Sequence, residues 1–582
     1  MTKYLYDKTP WIEVEGVCVE GWNEVVSTLN EVAPNDGKDR KIVVVECYPG
    51  VLHEELSGNL QGINHDLFID TRTLMLSEDE IRDLTWPDVT DDTIFGYLTR
   101  LRLEQYFSED AIEQTRAMID ACKGNVIVYG TGAALVCPES DCLVYADMAR
   151  WEIQARQRLG LVNGVGVKDS DEAPGIQYKR GYFVDWRVCD HHKKSLFDKA
   201  DFWLDTNKAN NPKMIAGSVH LQALRNAVKQ PFRVVPFFDP GPWGGQWMKE
   251  VCDLDRSKTN FAWCFDCVPE ENSLLIHVDG KIVEIPSINL VFYQSKELLG
   301  EPVESRFGQE FPIRFDFLDT MKGGNLSLQV HPTTQYIRDQ FGMYYTQDES
   351  YYILDADKNA TVYLGVKNGV DPKEMIAALE EAQKGEAPFD TDRFINQFPA
   401  KKHDHFLIPN GTIHCSGADS MVLEISATPY IFTFKLWDWN RLGLDGKPRP
   451  INIKHGANVI QWNRDTDYCQ SQLVNQVTPI AQGEGWREER TGLHENEFIE
   501  TRRHWFTDAV THHTGGGVNV LNLVEGDEAI VESRTGAFDP FVVHYAETFI
   551  IPAQLGEYTI KPYGQSEGKE CATIKAYVRF RD

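Results

Sequence analysis

The sequence predicts a multidomain protein, α/β at its N-terminus and all-β beyond, with one small helical insertion in the β part. Three observations carry that division. Over the first part, short continuous apolar runs alternate with helix-like stretches, the pattern of βαβ units. Beyond about Gln230 the chain turns to short strands, aromatics, and turns rich in Gly, Pro, Asn and Asp, beginning with Phe237-Phe238-Asp239-Pro240-Gly241-Pro242-Trp243-Gly244-Gly245. Within the β part, Asp371-Pro372 followed by Met375, Ile376 and Leu379 marks a helix from Asp371 to Lys384.

In order, Lys41–Cys47 reads as a buried strand of a parallel sheet covered on both faces. Helices are expected at Ser77–Leu84, Asp92–Phe107 and Ser108–Ala121. Strands follow at Asn125–Gly130 and Leu143–Asp147, then an Arg-bearing helix from Met148 to Leu159. From about Asn496 the β texture continues through Val518–Val524, Phe541–Val543, Phe549–Ala553 and Ile574–Phe580, a second and smaller jelly-roll lobe. The expected domains are 1–225, 226–495 and 496–582.

With 88 Asp and Glu against 58 Lys and Arg, the net charge is -30. That surface repels phosphate backbones and anionic lipid, which argues against nucleic-acid or membrane partners. A phosphorylated small molecule would need a local positive pocket. The 11% aromatic share suits a β-rich enzyme or a sugar-contacting surface. Met1 to Asp7 opens polar, and no apolar run reaches the ~18 residues of a membrane span, so a cytoplasmic protein is expected. The 12 Cys are scattered, as for reduced thiols, and Cys264 and Cys267 read as buried strand thiols.

The chemistry concentrates in four residues. Gln329 and His331 lie one strand-step apart in Leu326-Ser327-Leu328-Gln329-Val330-His331-Pro332, so they share a face. Glu349 opens Glu349-Ser350-Tyr351-Tyr352-Ile353-Leu354. His414 follows the tight turn Ile408-Pro409-Asn410-Gly411-Thr412-Ile413. An amide, two imidazoles and a carboxylate form a mixed N/O set suited to Zn²⁺ or a similar divalent ion, one per chain. His403 and His405 read as a solvated turn, and His191-His192 and His512-His513 as surface. Gly515-Gly516-Gly517 reads as a hairpin tip.

The N-terminal layout loosely resembles a nucleoside-kinase-like P-loop domain. The turn after its first strand, Glu46-Cys47-Tyr48-Pro49-Gly50-Val51-Leu52-His53, lacks the Lys and Ser/Thr that hold phosphate and Mg²⁺, and Glu46 repels phosphate. The resemblance implies a degenerate domain kept for packing or homo-oligomerisation; a domain that still binds a nucleotide or phosphosugar and gates the β region is the other reading.

The β region resembles type I mannose-6-phosphate isomerase, the zinc-dependent phosphomannose isomerase of the cupin superfamily, nearest its shorter bacterial form. The resemblance rests on Gly241–Gly245, Leu326–Pro332, Tyr352–Ala356, Val362–Lys367, Ile408–His414, Leu436-Trp437-Asp438-Trp439-Asn440-Arg441 and Asp445-Gly446-Lys447-Pro448-Arg449. It implies a double cupin fold, zinc ligands at Gln329, His331, Glu349 and His414, and a phosphate contact at Ser327. It also places Glu424 behind the second ligand His and Arg441 among the substrate-binding residues. Three cationic positions differ: Gln347 and Asp316 stand where the family has Lys, with Arg314 near Asp316 on the same face, and Lys435 stands for an active-site Arg. Gln347 and Arg314 are then the substrate-facing residues of that altered pocket.

Aldose–ketose interconversion through an enediol needs a proton-transfer group, for which Lys435 and Glu424 are the candidates. The function so implied is a metal-dependent isomerase of a hexose phosphate or related sugar; the alternative is a non-catalytic zinc-containing sugar-binding or regulatory cupin protein.

Overall fold

The structure is a computed structural model that describes residues 5–34, 39–385, 387–427, 430, 432–442, 446, 449, 451–492, 494 and 497–580. Met1 to Tyr4, the expected boundary at 495–496, and Asp445, Lys447 and Pro448 lie outside the described residues. The chain forms two compact units. One comprises Trp11–Ala227 with Ser273–Tyr293; the other comprises Met1–Pro10, Val228–Asn272 and Gln294–Asp582.

The first unit is built on a sheet whose five parallel strands lie in the order Phe202–Asp205, Cys142–Asp147, Ile42–Cys47, Val126–Gly130, Leu67–Asp70. Antiparallel strands Lys213–Ala216 and Cys18–Glu20 extend one edge. The Val43–Val45 run is buried throughout because helices cover both faces, as its unbroken apolar character requires. Helix Glu78–Val89 starts on a Ser77/Glu80 capping box, and helix Glu109–Ala121 on Ser108.

The helix expected over Asp92–Phe107 does not form. Asp92 Oδ1 instead accepts from the backbone N–H of Ile94 and Phe95, both at 2.8 Å, and only Leu103–Tyr106 makes a 3₁₀ turn. A short polar side chain has out-competed the helical ladder. Gly96 seals the loop, since a Cβ there would lie 2.6 Å from Asp88 O.

Residues 273–293, which the sequence places inside the β region, return to the first unit. Hairpin Ser273–Val278/Lys281–Pro286 pairs in parallel with Trp11–Glu13. Glu284 on this hairpin accepts from Trp151 Nε1 at 2.7 Å and Ser273 Oγ at 2.5 Å. Burial, assisted by Asp205, pushes its carboxyl up to about 7. A raised folded-state value means a contribution present below the unfolded value and lost as pH rises through about 7. Glu284→Gln keeps an acceptor without the charge, so it should leave the hairpin nearly unchanged at pH 4. At pH 8 it should increase hydrogen-exchange protection over 273–286 by about 3 kcal/mol. Equal protection at both pH values would contradict this.

The second unit holds two pairs of facing sheets. The first pair sets the six strands His405–Ile408, Glu349–Ala356, Ser420–Ser426, Arg314–Asp319, Trp263–Cys267 and Phe237–Asp239 against the five strands Ile395–Pro399, Thr361–Val366, His414–Ser416, Leu328–Val330 and Phe434–Trp437. The inserted helix runs Pro372–Gln383 on an Asp371 cap. The second pair, over 478–578, has six and four strands around a core that includes Phe506, Leu521, Phe549 and Ile560. All 12 Cys are free, Cys264 and Cys267 buried on one strand. No helix among the described residues is long and apolar enough to cross a membrane.

Candidate metal centre

The strand Leu328–Val330, one in from the sheet edge, pairs on both sides, so Gln329 lies opposite His414 in one neighbour and Lys435 in the other. Strand alternation turns Ser327, Gln329 and His331 to one face. Gly411, at φ +78°, makes the turn that delivers His414; a Cβ there would meet Gln461 Cγ at 2.5 Å. Its N–H donates to His331 O at 3.0 Å, tying the two ligand strands together. Glu349 arrives from the opposite sheet, between Ile408 and Ser426.

In the interior between the sheets the Glu349 carboxylate lies 3.1 Å from His331 Nε2 and 2.8 Å from His414 Nε2. All three residues are 0% exposed. Their ligand atoms lie within 4.8 Å of one another, the one such His/Cys/Asp/Glu group among the described residues.

The surroundings fix which ring nitrogens face inward. His331 Nδ1 donates to Phe432 O at 2.7 Å and His414 Nδ1 to Thr412 O at 2.9 Å, which leaves both Nε2 lone pairs turned to the centre. Gln329 Nε2 donates to His414 Nε2 at 3.2 Å, in keeping with that tautomer.

Distance alone would make the Glu349 contacts ion pairs, yet neither His331 Nε2 nor Glu349 Oε1 has an aligned hydrogen bond. Two acceptors facing each other in a dry interior repel unless a cation lies between them. The donor set therefore fits a divalent metal: two imidazole nitrogens, a carboxylate and, with its amide turned oxygen-inward, Gln329.

Behind the ligands, Gln347 donates to Glu349 Oε2 at 3.0 Å and accepts from Phe432 N at 2.8 Å. Both ends of its amide are used within the protein, so its contact is with the ligand carboxylate. Arg314 is ion-paired with Asp316 and lies over the Phe265 ring, 5% exposed. Glu424 pairs across the sheet with Asp316 and Tyr351. Burial, then the charges of Glu349 and Asp316, push its carboxyl well above the usual range.

A cationic side borders the same strand. Burial, with Arg449 beside it, lowers Lys435 to about 7. Ser327 Oγ donates to Asp438 Oδ1 at 2.8 Å and accepts from Arg449 Nη1 at 3.0 Å, while Arg441 Nη2 donates to Asp438 Oδ1 at 2.7 Å. One buried carboxylate thus gathers two guanidiniums and a serine hydroxyl next to an amine, a local excess of positive charge in a chain of net charge -30. Arg449 and Asp438 were not among the predicted site residues. Their signal was the Trp-Asp-Trp-Asn-Arg and Lys-Pro-Arg stretches, in which only Arg441 was singled out.

The histidines expected at the surface divide. His405 is fully buried, with Nε2 2.8 Å from Ser350 Oγ, because its strand covers the Glu349 strand. His403 bridges Tyr352 and Glu525. His192 is half-buried against Glu46 at 3.3 Å. His512 is buried, whereas His513 is exposed.

Comparison with known proteins agrees with the two-part reading. Residues 21–229 match a family described as a domain of unknown function, DUF8485. The chain is 25% identical over 233 residues to mannose-6-phosphate isomerase ManA of Bacillus subtilis, covering 40% of this chain and 68% of that protein. It is 26% identical over 222 residues to the mannose-6-phosphate isomerase of Streptococcus mutans, covering 38% and 64%. The matched stretch thus spans about two-thirds of each relative. Among solved structures, the mannose 6-phosphate isomerase of Bacillus subtilis aligns with a TM-score of 0.49 at 18% identity, over 60% of this chain and 99% of that one. Part of this chain is homologous to mannose-6-phosphate isomerases.

Proposed function

We propose that the protein is a metal-dependent aldose–ketose isomerase acting on a hexose phosphate, of the mannose 6-phosphate/fructose 6-phosphate type, through an enediol. The observation that carries this reading is the convergence of Gln329, His331, Glu349 and His414 beside an amine and a cationic clamp. The zinc ion would be held by those four residues, and when bound it would polarise substrate oxygens and stabilise the enediolate.

The chain's own residues do the rest. Ser327, Arg441 and Arg449 grip an anionic group, which places the sugar carbons toward Lys435. Lys435, lowered to about 7 by burial, has a neutral fraction near physiological pH and moves the proton between C1 and C2. Glu424, its carboxyl raised by burial behind Glu349, holds the ligand carboxylate.

The test is zinc-loaded protein in deuterated water with mannose 6-phosphate, fructose 6-phosphate and unphosphorylated hexoses. Deuterium should enter at C1 or C2 of a phosphorylated sugar, and Lys435→Ala should lower that rate by roughly 10²–10⁴-fold, the span of general acid–base catalysis. Sugar binding without exchange would instead favour a non-catalytic sugar-binding or regulatory protein. That second reading is supported by Gln347 and Asp316, which put a neutral and an acidic side chain where the isomerases carry Lys.

We read 226–495 as the metal-binding cupin domain, 496–582 as a second cupin-like lobe, and 1–225 as a degenerate nucleoside-kinase-like domain. Supporting the last, Ile42–Cys47 is the central strand, where a phosphate loop would follow. There Glu46 accepts from Gly132 N at 2.7 Å and Ala134 N at 2.8 Å, so a carboxylate occupies backbone donors that an anion would need.

A further inference from the structure

The second pair of sheets is apolar at one end of its interior and polar at the other. Along the same inward faces, Phe506 gives way to His504 and Arg502, Val510 to His512, and Cys571 to Lys575. Two carboxylates face this end, and both are held by Arg502: Glu488 lies 3.1 Å from its Nη1 and 3.4 Å from His504 Nε2, and Glu500 pairs with its Nε.

What remains is a group of polar atoms without protein partners. His512 is 3% exposed, stacked on Tyr558 with centroids 5.1 Å apart, and neither of its ring nitrogens has a partner. His504, also 3% exposed and 4.3 Å from His512 between centroids, has Nδ1 unpartnered. Lys575 is 8% exposed, and among the described residues it pairs with no carboxylate; the Tyr577 ring lies 5.4 Å from its Nζ. A packed core does not leave three buried ring nitrogens unsatisfied without a compensating partner. No three metal-ligating atoms converge here, which argues against a second metal.

We infer that this end of the second lobe is a binding site for a small oxyanion-bearing molecule, with Lys575 supplying the charge, His512 the inner hydrogen bond and His504 packed beside it. The mouth of a β-barrel is a common place for such a ligand, and polar groups converging within it are the mark of one. The site is separate from the metal centre and independent of the isomerase reading.

The experiment uses the full chain, zinc-loaded, carrying Arg449→Ala so that the first lobe's clamp does not contribute. It is titrated calorimetrically with inorganic phosphate and, in a second arm, with malonate, which separates phosphate from carboxylate ligands. At least one should bind, and adding Lys575→Met or His512→Phe should weaken it at least tenfold with zinc content unchanged. In the otherwise unaltered chain, ¹⁵N ring resonances of His504 and His512 should move on adding the same anion. Absent binding of both anions, equal affinity in the Lys575→Met protein, or static His504 and His512 resonances at saturation would overturn the site. Failure of sugar isotope exchange would leave it untouched.

Discussion

Replacing His331 by alanine is expected to strip the protein of stoichiometric zinc. The Nε2 it removes is one of two imidazole nitrogens aimed inward, and its orientation depends on the Nδ1 bond to Phe432 O, so no neighbouring side chain can substitute. Outer-sphere partners of metal ligands alter affinity by about 10–100-fold, and loss of a direct ligand should exceed that range. Gln347→Met, which removes the bond to Glu349 Oε2 but no ligand, should fall within it. With the metal gone, Glu349 would also be left as an uncompensated carboxylate in a dry interior, a change on the order of 3 kcal/mol. Elemental analysis of purified protein and the denaturation midpoint read the two effects. His403→Ala is the control, because His403 reaches Tyr352 and Glu525 and should leave the zinc content unchanged. A His331→Ala protein that retains one zinc per chain would show the ligand set to be different.

The convergence of the candidate ligands was legible because strand alternation is strict: one-step spacing put Gln329 and His331 on one face, and the Asn410-Gly411 turn delivered His414. The parallel core strands were legible for the related reason that a run buried on both faces must be apolar throughout. Other features had no local signature. The return of 273–293 to the first unit depends on a strand pairing between Trp11 and Leu275, which only tertiary packing selects.

His405 and His512 sit in polar neighbourhoods that suggest solvent, yet strand alternation turns His512 inward, and His405 lies on a strand buried at every position. Counting positions along the strand would have flagged His512; the burial of His405 is decided by packing. The helix expected over Asp92–Phe107 failed because an Asx turn and a glycine without room for a side chain decide a backbone that its charge pattern leaves open. In the site, the altered cations were visible as residue types, but their roles were not. That Arg314 is neutralised by Asp316, while Arg449 takes up the cationic side, is a property of packing.

Arg449 therefore carries the second large effect. In a chain of net charge -30, an anionic substrate is repelled by the general field and admitted only where local cations exceed local carboxylates. Arg449 Nη1 donates to Ser327 Oγ at 3.0 Å and to Asp438 Oδ2 at 3.0 Å, so it both orients the serine hydroxyl and offsets the one acid in the clamp. Without it, Asp438 would be balanced by Arg441 alone and Ser327 would turn wholly to Asp438. Hydrogen bonds to charged groups contribute about 1.5–3 kcal/mol each, so Arg449→Ala should raise KM for a phosphorylated sugar by roughly 10–150-fold. The unphosphorylated sugar makes no such bond, and its exchange rate should change little. Arg449→Lys should fall between, since an amine restores charge but not the planar fork. Raising salt should weaken the phosphorylated sugar's binding more in the wild type than in Arg449→Ala, because screening acts on the interaction the variant has already lost. An equal loss on both sugars would assign Arg449 to the architecture of the strand end, and the selectivity for phosphate would have to come from Lys435 and Arg441.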